Sequence, residues 1–207
     1  MICFVTAYDG ATSSNLSAVK HRLPANALVA SGATPLALAA ALAGRPEAPL
    51  VAWSHGSHDG LMAQNGCSAL PVDDLRRFAA RSAFAYACHT GSQFGRQAQA
   101  AGWTWWGYTG PVSAPGDGEV ERLILGDAMW AVATLAVTAT TVEGARAALQ
   151  EAFDVTMAHA EALDDAPDAS TESYLCLLHL RDRLRAWHPQ QEGPLFHPAC
   201  TSPILLV

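Results

Sequence analysis

The chain has 207 residues, half of them hydrophobic and 15% charged. That balance fits one globular domain, residues 1–207, with a sizeable core, and excludes a disordered chain. A formal net charge of −7 with 12 scattered lysines and arginines argues against a phosphate-binding surface, so nucleic acid is not an expected partner.

Met1-Ile2-Cys3-Phe4-Val5 lacks the basic lead of a secretory signal and reads as a first strand, Ile2 to Ala7, broken by Tyr8-Asp9-Gly10. Ser13 to Leu23 reads as an amphipathic helix stopped by Pro24, and Ala27 to Ser31 as a second buried strand. Thr34-Pro35 supplies a hydroxyl cap and a first-turn proline for a helix that Gly44 can end. Pro49 to Ser54 is a third strand, followed by the loop His55-Gly56-Ser57-His58-Asp59-Gly60. Asn65-Gly66, between two short segments of Leu61 to Leu70, signals a hairpin. Pro71 to Arg81 reads as a helix with Asp73 and Asp74 in its first turn.

Ala83 to Cys88 is a fourth strand, followed by a helix from about Ser92 to Ala101. The aromatic run Trp103 to Tyr108 is a fifth strand, and its tryptophans read as packing residues. Thr109 to Gly118 is a long loop. A helical portion then covers about 119–187: Glu119 to Val137, Val142 to Ala162 with a Thr140/Glu143 capping box, and Glu172 to Trp187. The uncharged run Ala128 to Val142 falls short of the roughly 20 residues that span a bilayer, so no membrane is expected. Arg181, Arg183 and Arg185 read as a solvated helix face. Pro203 to Val207 would be a last strand. Alternating strands and helices predict an α/β domain with a mostly parallel sheet of about six strands. Cys3, Cys67, Cys88, Cys176 and Cys200 show no paired spacing and read as free thiols of a cytoplasmic protein.

Two strands end on reactive side chains: the third runs into His55-Gly56 and the fourth into Cys88, 33 positions later. In a parallel sheet, ligands gather outside the strand carboxyl ends. An imidazole there can take the proton of a thiol and make it a nucleophile, and the glycine turn after Cys88 opens a helix whose positive end favours the thiolate. The Gly56 and Cys88 amides are the candidate oxyanion donors. The plain alternative is a buried cysteine and a turn histidine. His58 and His89 flank the pair. A zinc site built from His55, His58, Cys88 and His89 is set aside, because neighbours in sequence at a strand end fit one tetrahedron poorly. No metal and no cofactor are expected.

Ser54-His55-Gly56 followed by Ala87-Cys88-His89-Thr90-Gly91 resembles the caspase-like cysteine peptidases, and within them the bacterial CHAT domains. Leu61 to Gly66, Leu70 with Asp74-Leu75, Gly107, Pro111-Val112 and Val142 to Arg146 extend the likeness over about Val51 to Phe153. The resemblance implies a three-layer α/β/α sandwich and peptide-bond cleavage. His55 would be general base and acid, Cys88 the nucleophile, and the Gly56 and Cys88 amides the oxyanion hole. It further implies a specific partner protein as substrate, in bacterial defence or regulated cell death, with regulation by a partner. In the family the position two before the cysteine often lines the specificity pocket; here it is Tyr86. Asp59, Asp117 and Glu119 are candidates for recognising a basic side chain, with His58 and His89 as further substrate contacts. The rival reading is a catalytically silent module of the same fold that binds a partner through its crevice.

Overall fold

A computed structural model describes residues 1–166 and 169–200. The strands are β1 (Ile2–Val5), β2 (Leu28–Val29), β3 (Leu50–Trp53), β4 (Gly56–Ser57), β5 (Gly60–Met62), β6 (Ser68–Pro71), β7 (Ser82–Tyr86), β8 (Thr104–Tyr108) and β9 (Leu184–Trp187). The helices are α1 (Gly10–Val19), α2 (Pro35–Gly44), α3 (Gly95–Ala100), α4 (Glu119–Thr138), α5 (Val142–Asp164) and α6 (Thr171–Asp182). Six strands form the central sheet in the order β2-β1-β3-β7-β8-β9, and β4, β5 and β6 form a small antiparallel sheet beside it. The central strands run parallel except β9, which is antiparallel to β8.

Both faces of the central sheet are covered, which is why β1, β3 and β7 are unbroken apolar runs rather than alternating ones. Val5, Val51, Trp53, Phe84, Tyr86 and Trp106 face a layer made by α1, α4, α5 and α6. Ile2, Phe4, Leu50, Ala52, Ala85 and Trp105 face α2, α3 and the small sheet. The molecule is therefore a three-layer α/β/α sandwich. Trp103, Trp105 and Trp106 are buried, and Trp130 stacks on Trp53 with ring centroids 5.6 Å apart. All five cysteines are free. Among the described residues no helix is long and apolar enough to cross a membrane.

Several boundaries differ from the sequence expectation. Helix α1 begins at Gly10 rather than Ser13, because Asp9 is its cap: the Thr12 amide donates to the Asp9 carboxylate and the Thr12 hydroxyl answers the Asp9 amide. Strand β2 keeps only two half-buried residues at the sheet edge. The stretch after Pro71 is a short 3-10 turn, Val72–Arg77, with Leu75 as its one fully buried residue. The chain then runs to β7 past Arg81, whose guanidinium donates to the carbonyls of Leu42, Arg45, Ala48 and Ala79. Thr141, not Thr140, caps α5, accepting from the Gly144 amide at 3.0 Å.

The largest difference is at the end of the helical portion. The helix expected to run to Trp187 stops at Asp182, and Leu184–Trp187 becomes the sixth strand. Arg185 is therefore not on a solvated helix face. It is fully buried, donates to the carbonyls of Asp182 and Leu184, and lies over the Phe196 ring. The strand expected at Pro203 to Val207 lies outside the described residues.

Candidate active site

The β3–β7 pairing sets the site. Leu50 pairs with Ala83 and Trp53 with Tyr86, a constant offset of 33 residues (86 − 53). His55 and Cys88 have the same offset and each stands two residues past the last pair, so both leave the same edge of the sheet side by side. Their turns touch. A Cβ built on Gly56 would come within 2.7 Å of the Cys88 carbonyl oxygen and 2.8 Å of the Ala87 Cβ. Only glycine permits that approach.

The same edge is where the topology reverses. The chain goes from β1 to β2 on one side and then crosses to β3 on the other, so the carboxyl ends of β1 and β3 enclose a switch point, the usual ligand crevice of such sheets. Two side chains meet across it. His55 Nε2 lies 2.6 Å from Asp9 Oδ2, and the Tyr8 ring tilts against the imidazole at 5.4 Å between centroids. Burial tends to raise the Asp9 carboxyl. The Thr12 amide, the His55 ring and the Thr12 hydroxyl outweigh it and hold the group down to about 2. Asp9 was read from the sequence only as a strand breaker. The signal was there: it follows β1 at the edge that His55 and Cys88 share.

Cys88 is half-buried, and its Sγ accepts a hydrogen bond from the Val112 amide at 3.4 Å. Among the described residues no backbone carbonyl takes the Cys88 amide hydrogen, and no hydrogen bond joins the thiol to the His55 ring. The next residue, His89, sits in the left-handed region at φ 61°. A wide turn, Thr90–Phe94, then leads into α3, with Thr90 Oγ1 donating to the Ala87 carbonyl and Trp187 Nε1 to the Gly91 carbonyl.

The wall beside the thiol is the loop after β8. Despite its glycines and prolines it is bonded nearly residue by residue. The His89 amide donates to the Gly110 carbonyl, Arg183 to the Pro111 carbonyl, and the Ser113 amide to His179 Nδ1 at 3.1 Å. The Tyr86 hydroxyl donates to the Ser113 carbonyl at 2.5 Å, and Ser14 Oγ to the Pro115 carbonyl at 2.9 Å. Burial, then the Arg183 charge, lower the His179 ring from its ordinary value, which suits its role as an acceptor. Glu121 anchors the loop's far end: nearly buried, it accepts from the Ser170 amide and hydroxyl and from Ser173 Oγ.

The remaining sequence candidates divide. Tyr86 does not line a pocket: it is fully buried, lies 3.1 Å from Cys176 Sγ, and burial pushes its hydroxyl well up. It serves the site only by holding Ser113. His58 and His89 do come together, with ring centroids 4.8 Å apart, and His58 Nδ1 lies 3.1 Å from Ser92 Oγ. Burial, then His58 and Arg183, lower the His89 ring. Asp59 is exposed at the tip between β4 and β5, and Asp117 is exposed in the loop. Glu119 lies apart, sharing a shallow groove with Ser17, Lys20 and Arg122. That groove is at the far end of α1, a helix of about 15 Å whose first turn carries the Asp9–His55 contact. Among the described residues no three His, Cys, Asp or Glu side chains converge as metal ligands.

No family model, curated protein or solved structure matches the chain.

Proposed function

We propose that the protein is a cysteine endopeptidase that cleaves a specific partner protein through Cys88 and His55, in a defence or regulated cell-death setting. The observation that carries the reading is the shared register. A thiol and an imidazole leave adjacent parallel strands at the same step, with their turns in contact through Gly56. The resemblance of the His55-Gly56 and Cys88 turns to caspase-like peptidases supports the same assignment.

The chemistry follows from the groups. The Cys88 thiol gives its proton to His55, and the sulfur attacks the peptide carbonyl carbon. The carbonyl oxygen becomes an oxyanion facing the Cys88 and Gly56 amides. The C–N bond breaks as His55 returns the proton to the leaving amine. Water, giving a proton to His55, then attacks the thioester; the C–S bond breaks and the thiol is restored. Neither a metal nor an organic cofactor is needed for these steps.

The test is alkylation with iodoacetamide followed by peptide mapping. Cys67 is the exposed reference thiol. Cys3 and Cys176 are silent controls, since burial pushes them up to about 11 and about 12. Cys88 should react fastest, and His55→Ala should slow it. Cleavage of a co-expressed partner or a peptide library should vanish in Cys88→Ala. One observation favours the silent-module reading: His55 is bonded to Asp9 and Cys88 to Val112, with no bond between the pair. A Cys88 no more reactive than Cys67, and indifferent to His55→Ala, would decide for it.

A further inference from the structure

The Asp9–His55 contact has no place in a two-residue mechanism, yet it joins two separate chain segments at the switch point. The two carboxylate oxygens of Asp9 are divided between tasks. Oδ1 accepts from the Thr12 amide at 2.9 Å and the Thr12 hydroxyl at 2.8 Å, closing the start of α1. Oδ2 faces His55 Nε2 at 2.6 Å. The helix start therefore fixes the carboxylate, and the carboxylate fixes the ring. We infer that Asp9 is the positioning residue of this site, setting the tautomer and orientation of His55 so that Nδ1 is the nitrogen offered to the thiol and the leaving amine.

The physical case has three parts. With Asp9 ionised, the Nε2 atom facing it carries hydrogen in both the neutral and the protonated ring, because a carboxylate accepts and does not donate. A neutral imidazole then has its acceptor pair on Nδ1 alone, and a general base must present that pair to the proton it takes. When Nδ1 is protonated by the thiol, the Asp9 charge lies against the imidazolium and stabilises it. The carboxyl is held down to about 2 by the helix amide and the ring, so it is charged over any working range. The other groups at this ring are few. Tyr8 tilts against it with its hydroxyl raised by burial and then by Asp9, so the phenol stays neutral; Cys88 stands beside it on the β7 side; and His58 faces His89 and Ser92 instead. Asp9 is the only carboxylate hydrogen-bonded to the ring among the described residues.

The inference rests on the dyad reading for its catalytic meaning, and two measurements separate them. The variants are Asp9→Ser and Asp9→Asn, since serine and asparagine both cap helices well while neither carries the charge. Circular dichroism and thermal melting confirm the fold. Nitrogen-15 NMR of the full chain reads which ring nitrogen of His55 holds hydrogen, and iodoacetamide rates at Cys88 are taken against pH. In the wild type, Nε2 holds the hydrogen. In Asp9→Ser that preference is lost, and Cys88 alkylation at neutral pH falls on the order of 10-fold, less than the roughly 10²–10⁴-fold that a general base contributes. The acid limb of the rate profile moves to lower pH in both variants, because a ring without the carboxylate beside it gives up its proton more readily, a change that loss of a helix cap alone would not produce. Unchanged ring signals in Asp9→Ser would overturn the inference. So would a Cys88 rate that falls in His55→Ala but keeps its wild-type pH profile in both Asp9 variants. If the ring signals change while Cys88 is indifferent to His55→Ala, the Asp9–His55 positioning stands and the peptidase reading falls.

Discussion

At Gly56 an added methyl would stand 2.7 Å from both the Cys88 carbonyl oxygen and the Thr90 methyl, and 2.8 Å from the Ala87 Cβ. Two of those neighbours belong to the Cys88 turn itself, so relief requires the His55 and Cys88 turns to separate. Gly56→Ala should therefore lower stability by about 1–3 kcal/mol, the usual cost of overpacking. It should also slow Cys88 alkylation towards the rate of Cys67. A urea titration and peptide mapping check the two parts; a variant that loses stability but keeps Cys88 reactivity would show that the turns need not touch. At this scale the sequence was most readable for His55 and Cys88, because both close apolar runs and their spacing equals the strand register. It was least readable for Asp9. Capping and catalysis use the same residue types, and only the fold shows that one carboxylate faces Thr12 with one oxygen and His55 with the other. Tyr86 misled for a different reason. In a strand, alternate residues face opposite layers, and Tyr86 points into the α4–α6 layer, where its ring packs against Tyr108.

Among the elements, helix starts were legible and short strands were not. Thr34 and Thr141 each accept from an amide three residues on, at 3.1 Å and 3.0 Å. The neighbouring Thr140 takes no such role; its carbonyl faces His188 Nε2 at 3.2 Å. Thr141→Ala should cost about 1 kcal/mol, the usual value of a lost threonine cap, and Thr140→Ala distinctly less. Paired thermal melts decide between them, and equal losses would return the cap to Thr140. Strand β9 was hidden because four residues carry no usable period; the alternate spacing of Arg181, Arg183 and Arg185 is that of a strand face rather than a helix face, but it straddles the end of α6 and the start of β9. What makes Leu184–Trp187 a strand is its partner: Trp105 to Tyr108 on β8 offer a free edge, and burial against it outweighs local preference. The same argument explains Val72–Arg77, where a single buried apolar residue gives a longer helix nothing to pack.

For the molecule as a whole, helix α1 and the residues around it are tied by acids at both ends. Asp9 joins its start to the end of β3, and Asp127 on α4 pairs with His21 and Arg22 just past its end. Burial tends to raise the Asp127 carboxyl, and the bonds from His21 and Arg22 outweigh it, so it too is lowered. Carboxyls lowered on folding add stability above their ordinary value and lose it as pH falls through the folded value. For Asp9 that window runs from 3.8 down to about 2. The urea midpoint should fall across it, and fall less in Asp9→Asn, which has no such carboxyl to protonate. Both carboxylates are about two-fifths exposed, so the effect should be modest and weaken further in salt. Equal falls in both proteins would place the acid sensitivity elsewhere. The layered architecture itself was legible, because runs such as Leu50 to Trp53 are apolar without alternation and need cover on both sides.

The tip between β4 and β5 is bracketed by two glycines that cannot move. Gly56 is pressed against the Cys88 turn, and Gly60, at φ 145°, has the Leu70 carbonyl where a side chain would begin. Between them Ser57, His58 and Asp59 are half-buried or exposed. Those three positions form a cassette between rigid posts. Its length is dictated by the backbone on either side, while its chemistry is open, so side chains can be exchanged there without rebuilding the scaffold around it.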